Sequence, residues 1–274
     1  MMKKVYLFLI SCLGLMLMPD MQLYAQEESA QKPAYITVTT LHWNMDKEDF
    51  DMDKWKAMEK EYFDKVTAKN EHIIGSGVYL HRFTPDNREL ISVTVYPSWE
   101  AIDKSGARDG ELVKEGWPDE QARKAFFDDR NSYYSDFHSD EIYAPMDNVK
   151  PLTSPGEKIL LVRRSQLKFP QDGSYDEFNK AHTDYVNNVF KKNDLVKGYY
   201  PVMHAWGADR REMVEAFYVD SMDDLDKMFE KNNELFMAKW NTDELREEMQ
   251  AMATKYFTGV HGDYIYTMVP ELRK

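Results

Sequence analysis

One cysteine, Cys12, is all the thiol chemistry in 274 residues. It lies in an apolar stretch, residues 5–18, that follows the basic Met1-Met2-Lys3-Lys4 and precedes Leu23-Tyr24-Ala25 and Gln26. A basic start, about 14 apolar residues and a small residue before a break form the layout of a secretory signal; a bilayer span needs roughly 20. The expectation is a signal peptide at 1–25, an exposed segment at 26–33, and export to the periplasm or the extracellular space. Leu9-Ile10-Ser11-Cys12 loosely fits a lipobox, so a lipoprotein anchored through Cys12 is the minor alternative. A mature chain without cysteine excludes disulfides, thiolate catalysis and cysteine-based zinc sites.

Positive charge is also scarce. Lys and Arg total 35 against 48 Asp and Glu, a net charge of -13. Nucleic acid and anionic membrane surfaces need a dense basic face and are excluded as partners. After residue 18 no apolar run is long enough to span a bilayer, so no membrane insertion is expected. HExxH, CxxCH and a glycine-rich phosphate loop are all missing, and no cofactor is expected. A content of 43% hydrophobic and 14% aromatic residues excludes global disorder.

What the chain does contain is a repeat of itself. Displaced by about 123 residues, segment 34–151 aligns on 157–274 almost without gaps. The matches are rare residue types: Tyr62 with Tyr185, Asn70 with Asn193, Gly75 with Gly198, His81 with His204, Trp117 with Trp240 and Tyr133 with Tyr256. Asp86-x-Arg88-Glu89 recurs as Asp209-x-Arg211-Glu212. His138-x-Asp140-x-Ile142-Tyr143 recurs as His261-x-Asp263-x-Ile265-Tyr266. The expected division is repeat 1 at 34–146, a linker at 147–156 carrying Pro151, Pro155 and Gly156, and repeat 2 at 157–274.

Each repeat reads as β-α-β-β-α-β. Strands are expected near 35–43, 77–83, 89–96 and 136–144, with copies near 158–167 and 259–268. Trp55, Met58, Tyr62 and Val66 share one helical face, and Phe178, Tyr185 and Val189 share its copy. Asn70 and Asn193 suit left-handed helix ends. Ser98 and Ser221 suit N-caps of a second helical region, which breaks at Gly116 before Pro118. The order is that of the ferredoxin-like split motif, whose sheet needs a cover on its open face. The fold class is therefore α+β, with two tandem ferredoxin-like βαββαβ repeats forming an intrachain α+β barrel, each sheet covering the other. A monomer suffices for such a barrel, and a homo-oligomer is open.

On this element order and repeat, the chain resembles the dimeric α+β barrel superfamily. That group includes Dabb-type stress proteins, NIPSNAP-like proteins, antibiotic-biosynthesis-type monooxygenases and chlorite-dismutase-like haem proteins. The resemblance covers nearly all of the chain after residue 34 and carries no diagnostic motif. It implies fold far more than activity. It makes two functions worth testing: a small-molecule binder with a pocket between sheet and helices, or a monooxygenase-like or haem-handling enzyme using a pocket histidine.

The candidate catalytic residues are the repeated histidines His81, His138, His204 and His261. Candidate ligand contacts are His42, Trp43, Trp117, Trp240, Tyr79 and Trp206. His42 and Trp43 stand out because the second repeat has Ser165 and Gln166 there. The histidines admit three readings: structural hydrogen-bond anchors, an acid/base or small-molecule site, or a metal or haem site. For a metal, His138 with Asp140 and His261 with Asp263 are the alternative ligand set, because a His-x-Asp pair shares one strand face. Arg163 and Arg164 lie on opposite strand faces, and an inward arginine would favour an anion. The Asp-x-Arg-Glu motif reads as a capped turn with cross-strand charges.

Overall fold

A computed structural model describes residues 32–274. The expected signal segment and its lipobox cysteine lie outside the described residues. The first half runs β1 (Tyr35–His42), α1 (Met52–Tyr62), β2 (Gly75–Phe83), β3 (Glu89–Tyr96), α2 (Trp99–Gly116), α3 (Glu120–Asn131) and β4 (Ser139–Pro145). The second runs β5 (Ile159–Leu167), α4 (Tyr175–Asn188), β6 (Gly198–Trp206), β7 (Glu212–Val219), α5 (Met222–Lys239), α6 (Asp243–Tyr256) and β8 (Phe257–Met268). The element order is the same in both halves.

The strands close into one antiparallel barrel in the order β1-β3-β2-β8-β5-β7-β6-β4, and β4 returns to β1. Each half supplies four neighbouring strands in the ferredoxin-like order. The two sheets do more than face each other. Their edges hydrogen-bond: β2 meets β8 with His81 opposite Tyr266, and β4 meets β6 with Tyr143 opposite His204. Bare edge strands are thereby removed, and one chain completes the barrel.

Strand alternation sorts side chains between the lumen and the helix-covered exterior. On β5, Leu160 and Val162 enter the lumen cluster with Tyr79, Ile91, Tyr218 and Met268. Ile159 and Leu161 point outward, onto Val186, Val189 and Met228 of the helical layer. Both faces of β5 are covered, which is why Ile159–Val162 is an unbroken apolar run. Two repeated pairs lock the halves across the lumen. Tyr143 O–H donates to Glu212 at 2.6 Å, and in the mirror arrangement Tyr266 O–H donates to Glu89. The expected caps form: Ser98 Oγ accepts from Ala101 N–H and Ser221 Oγ from Asp224 N–H, both at 3.1 Å. Asp119, not Pro118, opens α3, with Pro118 just outside the cap.

Asn70 and Asn193 need a correction. Among the described residues only glycines have positive φ, so neither is a left-handed helix end. Both are fully buried and act as staples. Asn70 Nδ2 donates to the Ser105 carbonyl and to Asp109, at 3.1 and 2.6 Å. Asn193 Nδ2 donates to the Met228 carbonyl and to Asn232, at 3.0 and 2.8 Å. Each asparagine thus bonds the end of the first helical region to the second helix, and a buried amide held at several points is intolerant of change.

Candidate functional site

The two halves differ most in the layer between sheet and helices. In the first half this layer is filled. Trp55 is fully buried. Its indole N–H donates to Tyr134 Oη at 2.8 Å, and Tyr134 O–H donates to Glu59 at 2.6 Å. Arg130 Nη2 donates to the same carboxylate at 2.9 Å, and its guanidinium lies over the Tyr62 ring. At the equivalent positions of the second half stand Phe178, Phe257, His182 and Ala253. A guanidinium has become a methyl group, and a cavity of about 410 Å³ opens beside Phe178, His182, Met249, Met252, Ala253 and Phe257.

One buried polar chain reaches this pocket. The helix stripe Phe178-His182-Val186 faces the sheet, and Phe178 stacks on the His182 ring. His182 Nε2 lies 3.0 Å from Tyr199 Oη, and Tyr199 O–H donates to Glu215 at 2.6 Å. With Glu215 ionised, the tyrosine proton is committed to it, so Nε2 carries hydrogen and donates to Tyr199. His182 Nδ1 is buried without a partner among the described residues. Burial holds the His182 pKa down at about 4, so the ring is neutral at physiological pH. Burial raises the Glu215 carboxyl. Arg163 pairs with Glu215 in register but spends its fork on Asp263, at 2.8 and 2.9 Å.

Of the site candidates singled out in the sequence, His261 and Arg163 line this pocket, and the others fall elsewhere. His261 lines the mouth of this pocket; half exposed, it lies 4.0 Å from Asp263. His138 is exposed and lies 3.4 Å from Asp140. Their strands β8 and β4 stand on opposite sides of the barrel, so the two His-x-Asp pairs are not brought together. No group of three metal-binding side chains occurs among the described residues. His81 Nδ1 donates to Thr84 Oγ1 at 2.8 Å, whose own proton goes to the Asp86 carbonyl. His204 is half-buried on β6, opposite Tyr143.

His42 is buried, its Nδ1 donating to the Phe137 carbonyl at 3.2 Å and its Nε2 3.5 Å from Asp86. Trp43 stacks on Tyr134 and meets Trp55 edge-on, inside the filled layer of the first half. Trp117 donates to Glu61 at 3.1 Å, and Trp240 stacks on Tyr185; both plug the helical layer. Trp206 is exposed against Trp99, and Tyr79 lies in the lumen. Arg164 faces inward, but Glu141 and Glu212 take it up at 3.1 and 3.5 Å. Asp86 and Asp209 cap their turns and hold Arg88 and Arg211 in bidentate pairs, which keep both carboxyls far below the usual range.

No family model matches the sequence, and no curated protein matches it. Solved structures do. A candidate monooxygenase from Fusobacterium nucleatum subsp. nucleatum superposes with a TM-score of 0.55 at 10% identity, over 86% of this chain and 92% of that one. One from Lactobacillus acidophilus gives 0.54 at 10% identity, over 88% and 96%. An arginine-substituted chlorite dismutase from Candidatus Nitrospira defluvii gives 0.52 at 12% identity, over 87% and 92%. This chain has the dimeric α+β barrel fold. At such identities the shared barrel carries architecture and not chemistry.

A haem would need an imidazole free to ligate it and cations free to meet its carboxylates. The pocket's inner imidazole, His182, is committed to Tyr199 through one nitrogen and fully covered at the other. His261 stands at the rim. Among the described residues the cations nearest the pocket are already paired, Arg163 with Asp263 and Lys255 with Glu177, so neither is free to receive a cofactor's carboxylates. These residues do not fit a haem.

Proposed function

We propose that this chain is an exported binding protein that takes up an apolar, ring-sized small molecule between β5, β7 and β8 and helices α4 and α6. The observation that carries this reading is the exchange of Arg130, Tyr134 and Glu59 for Ala253, Phe257 and His182: a filled polar core in one half stands against a largely apolar pocket in the other, with Arg163, Glu215, His182 and His261 among its lining. A largely apolar cavity of a few hundred Å³ with a few polar groups is the usual form of a small-molecule site. Arg163, Glu215 and His261 are charged or titratable side chains that line it and would orient a ligand.

The monooxygenase-like alternative needs a base to deprotonate a substrate. A general base works best with a pKa near the operating pH. His182, at about 4, is poorly matched to that task; Glu215, whose carboxyl pKa burial raises, lines the same pocket and is the base this alternative would use.

The test uses Nile red, a neutral planar dye. The mature protein is expected to shift its emission to the blue, and Ala253→Arg, which restores the first-half plug, to abolish the shift. Emission unchanged in a folded Ala253→Arg protein would refute the pocket. Absorbance with added haemin tests the cofactor question. A Soret shift that survives His182→Ala and disappears in His261→Ala would overturn the exclusion of haem. For export, the intact mass of secreted protein is expected to start at Gln26, and a mass retaining Cys12 would contradict it.

A further inference from the structure

The barrel lumen contains a second cavity, of about 390 Å³, separate from the sheet–helix pocket. Its wall is apolar: Ile36, Val38, Ile91, Val93, Val162 and Ala216 all line it. Its two ends differ. At one end Arg164 is held between Glu141 and Glu212, with Tyr143 and Tyr266 bonded to carboxylates beside it. Three glutamates against one arginine make that end repel an anion. The other end opens past exposed Pro33 and Lys274 and carries Arg273.

Arg273 donates to the Leu152 carbonyl at 3.0 Å and has no carboxylate partner among the described residues. Nearby, the buried hydroxyls of Tyr79 and Tyr218 share one hydrogen bond of 2.6 Å. Two hydroxyls joined by one bond leave one O–H proton without a described acceptor. A cation without a counter-charge and a spare donor stand at the mouth of an apolar tube whose far end is negative.

We propose that the barrel lumen binds an alkyl monocarboxylate, its chain along the apolar wall and its carboxylate at Arg273 and the Tyr79–Tyr218 pair. The excess of carboxylates at the far end sets the direction of binding: the tail points toward that end and the head stays at the Arg273 mouth. An ionised head gains a charge-assisted bond that an alcohol of the same length does not. Acid and alcohol are therefore expected to differ by about tenfold or more in affinity.

Cis-parinaric acid serves as the fluorescent probe, displaced by dodecanoate or dodecanol. The mature protein is expected to enhance its fluorescence, and dodecanoate to displace it at least about tenfold better than dodecanol. Arg273→Gln, at the mouth, should weaken the probe and dodecanoate alike and erase that difference, while the affinity of dodecanol, corrected for the weaker probe, stays unchanged. Ala216→Phe should block the lumen and abolish displacement by both, whereas Ala253→Arg, which fills the other pocket, should change neither. This last arm separates the lumen from the site proposed above. Absence of probe binding, equal affinity for acid and alcohol, or loss in Ala253→Arg with retention in Ala216→Phe would each overturn the proposal. If Ala216→Phe fails to fold, the Arg273→Gln comparison decides alone.

Discussion

Arg130→Ala is expected to lower the stability of the protein by about 3–5 kcal/mol, the range for breaking a buried ion pair from one side. Glu59 is 6% exposed, and Arg130 is its only cationic partner among the described residues. Removing the guanidinium leaves a buried carboxylate supported only by Tyr134, together with a void where the side chain lay over Tyr62. The double variant Arg130→Met, Glu59→Leu removes the charge from both sides and should regain most of that loss, because a well-packed apolar pair costs no desolvation. Urea unfolding reads both effects as shifts in midpoint at constant slope. A single variant within about 0.5 kcal/mol of the parent would mean that Glu59 is solvated or protonated in the folded state.

The second large effect is a pH dependence centred on His182. Its pKa falls from 6.5 to about 4 on folding, because burial disfavours the imidazolium. A group depressed in this way adds stability that is fully present above its unfolded pKa and is lost as pH falls toward the folded value. At about 1.4 kcal/mol per unit, the loss between pH 6.5 and pH 4 is on the order of 3 kcal/mol. Glu215 acts with the opposite sign. Burial raises its pKa, so its contribution is lost as pH rises through the folded value. Comparing Glu215→Gln with Glu215→Gln, His182→Leu isolates the histidine. The first should lose stability on acidification through this window by more than the second, and parallel curves would show that His182 is not held neutral by burial.

The fold was legible because its signals are local and repeated. The three- and four-residue spacing of Trp55, Met58, Tyr62 and Val66, the serine caps and the Asp86 and Asp209 turns each act over a few residues. The same order read twice left only the barrel to build. The pocket was not legible by the same route. His182, Tyr199 and Glu215 correspond to Glu59, Ser76 and Ser92, so a search for what recurs passes over them. The signal that would have found them is difference at buried positions, above all Arg130 against Ala253. The recurring histidines drew attention because duplication preserves anchors, and His81 bonded to Thr84 is one. Within the hairpin motif Glu89 and Glu212 look like cross-strand charges. Period two sends both inward, and what they meet there is a tyrosine about half the chain away, which no local pattern reveals.

In a barrel made from two identical chains, any change to the layer under the helices is made twice, and emptying it for a ligand weakens both sides at once. Carrying both halves on one chain removes that constraint. Here one half is filled by tryptophan, arginine and glutamate, and the other is hollow. The asymmetry between Trp55–Glu59–Arg130 and Phe178–His182–Ala253 divides the labour between a half that keeps the barrel standing and a half that can be reshaped for whatever it is to hold.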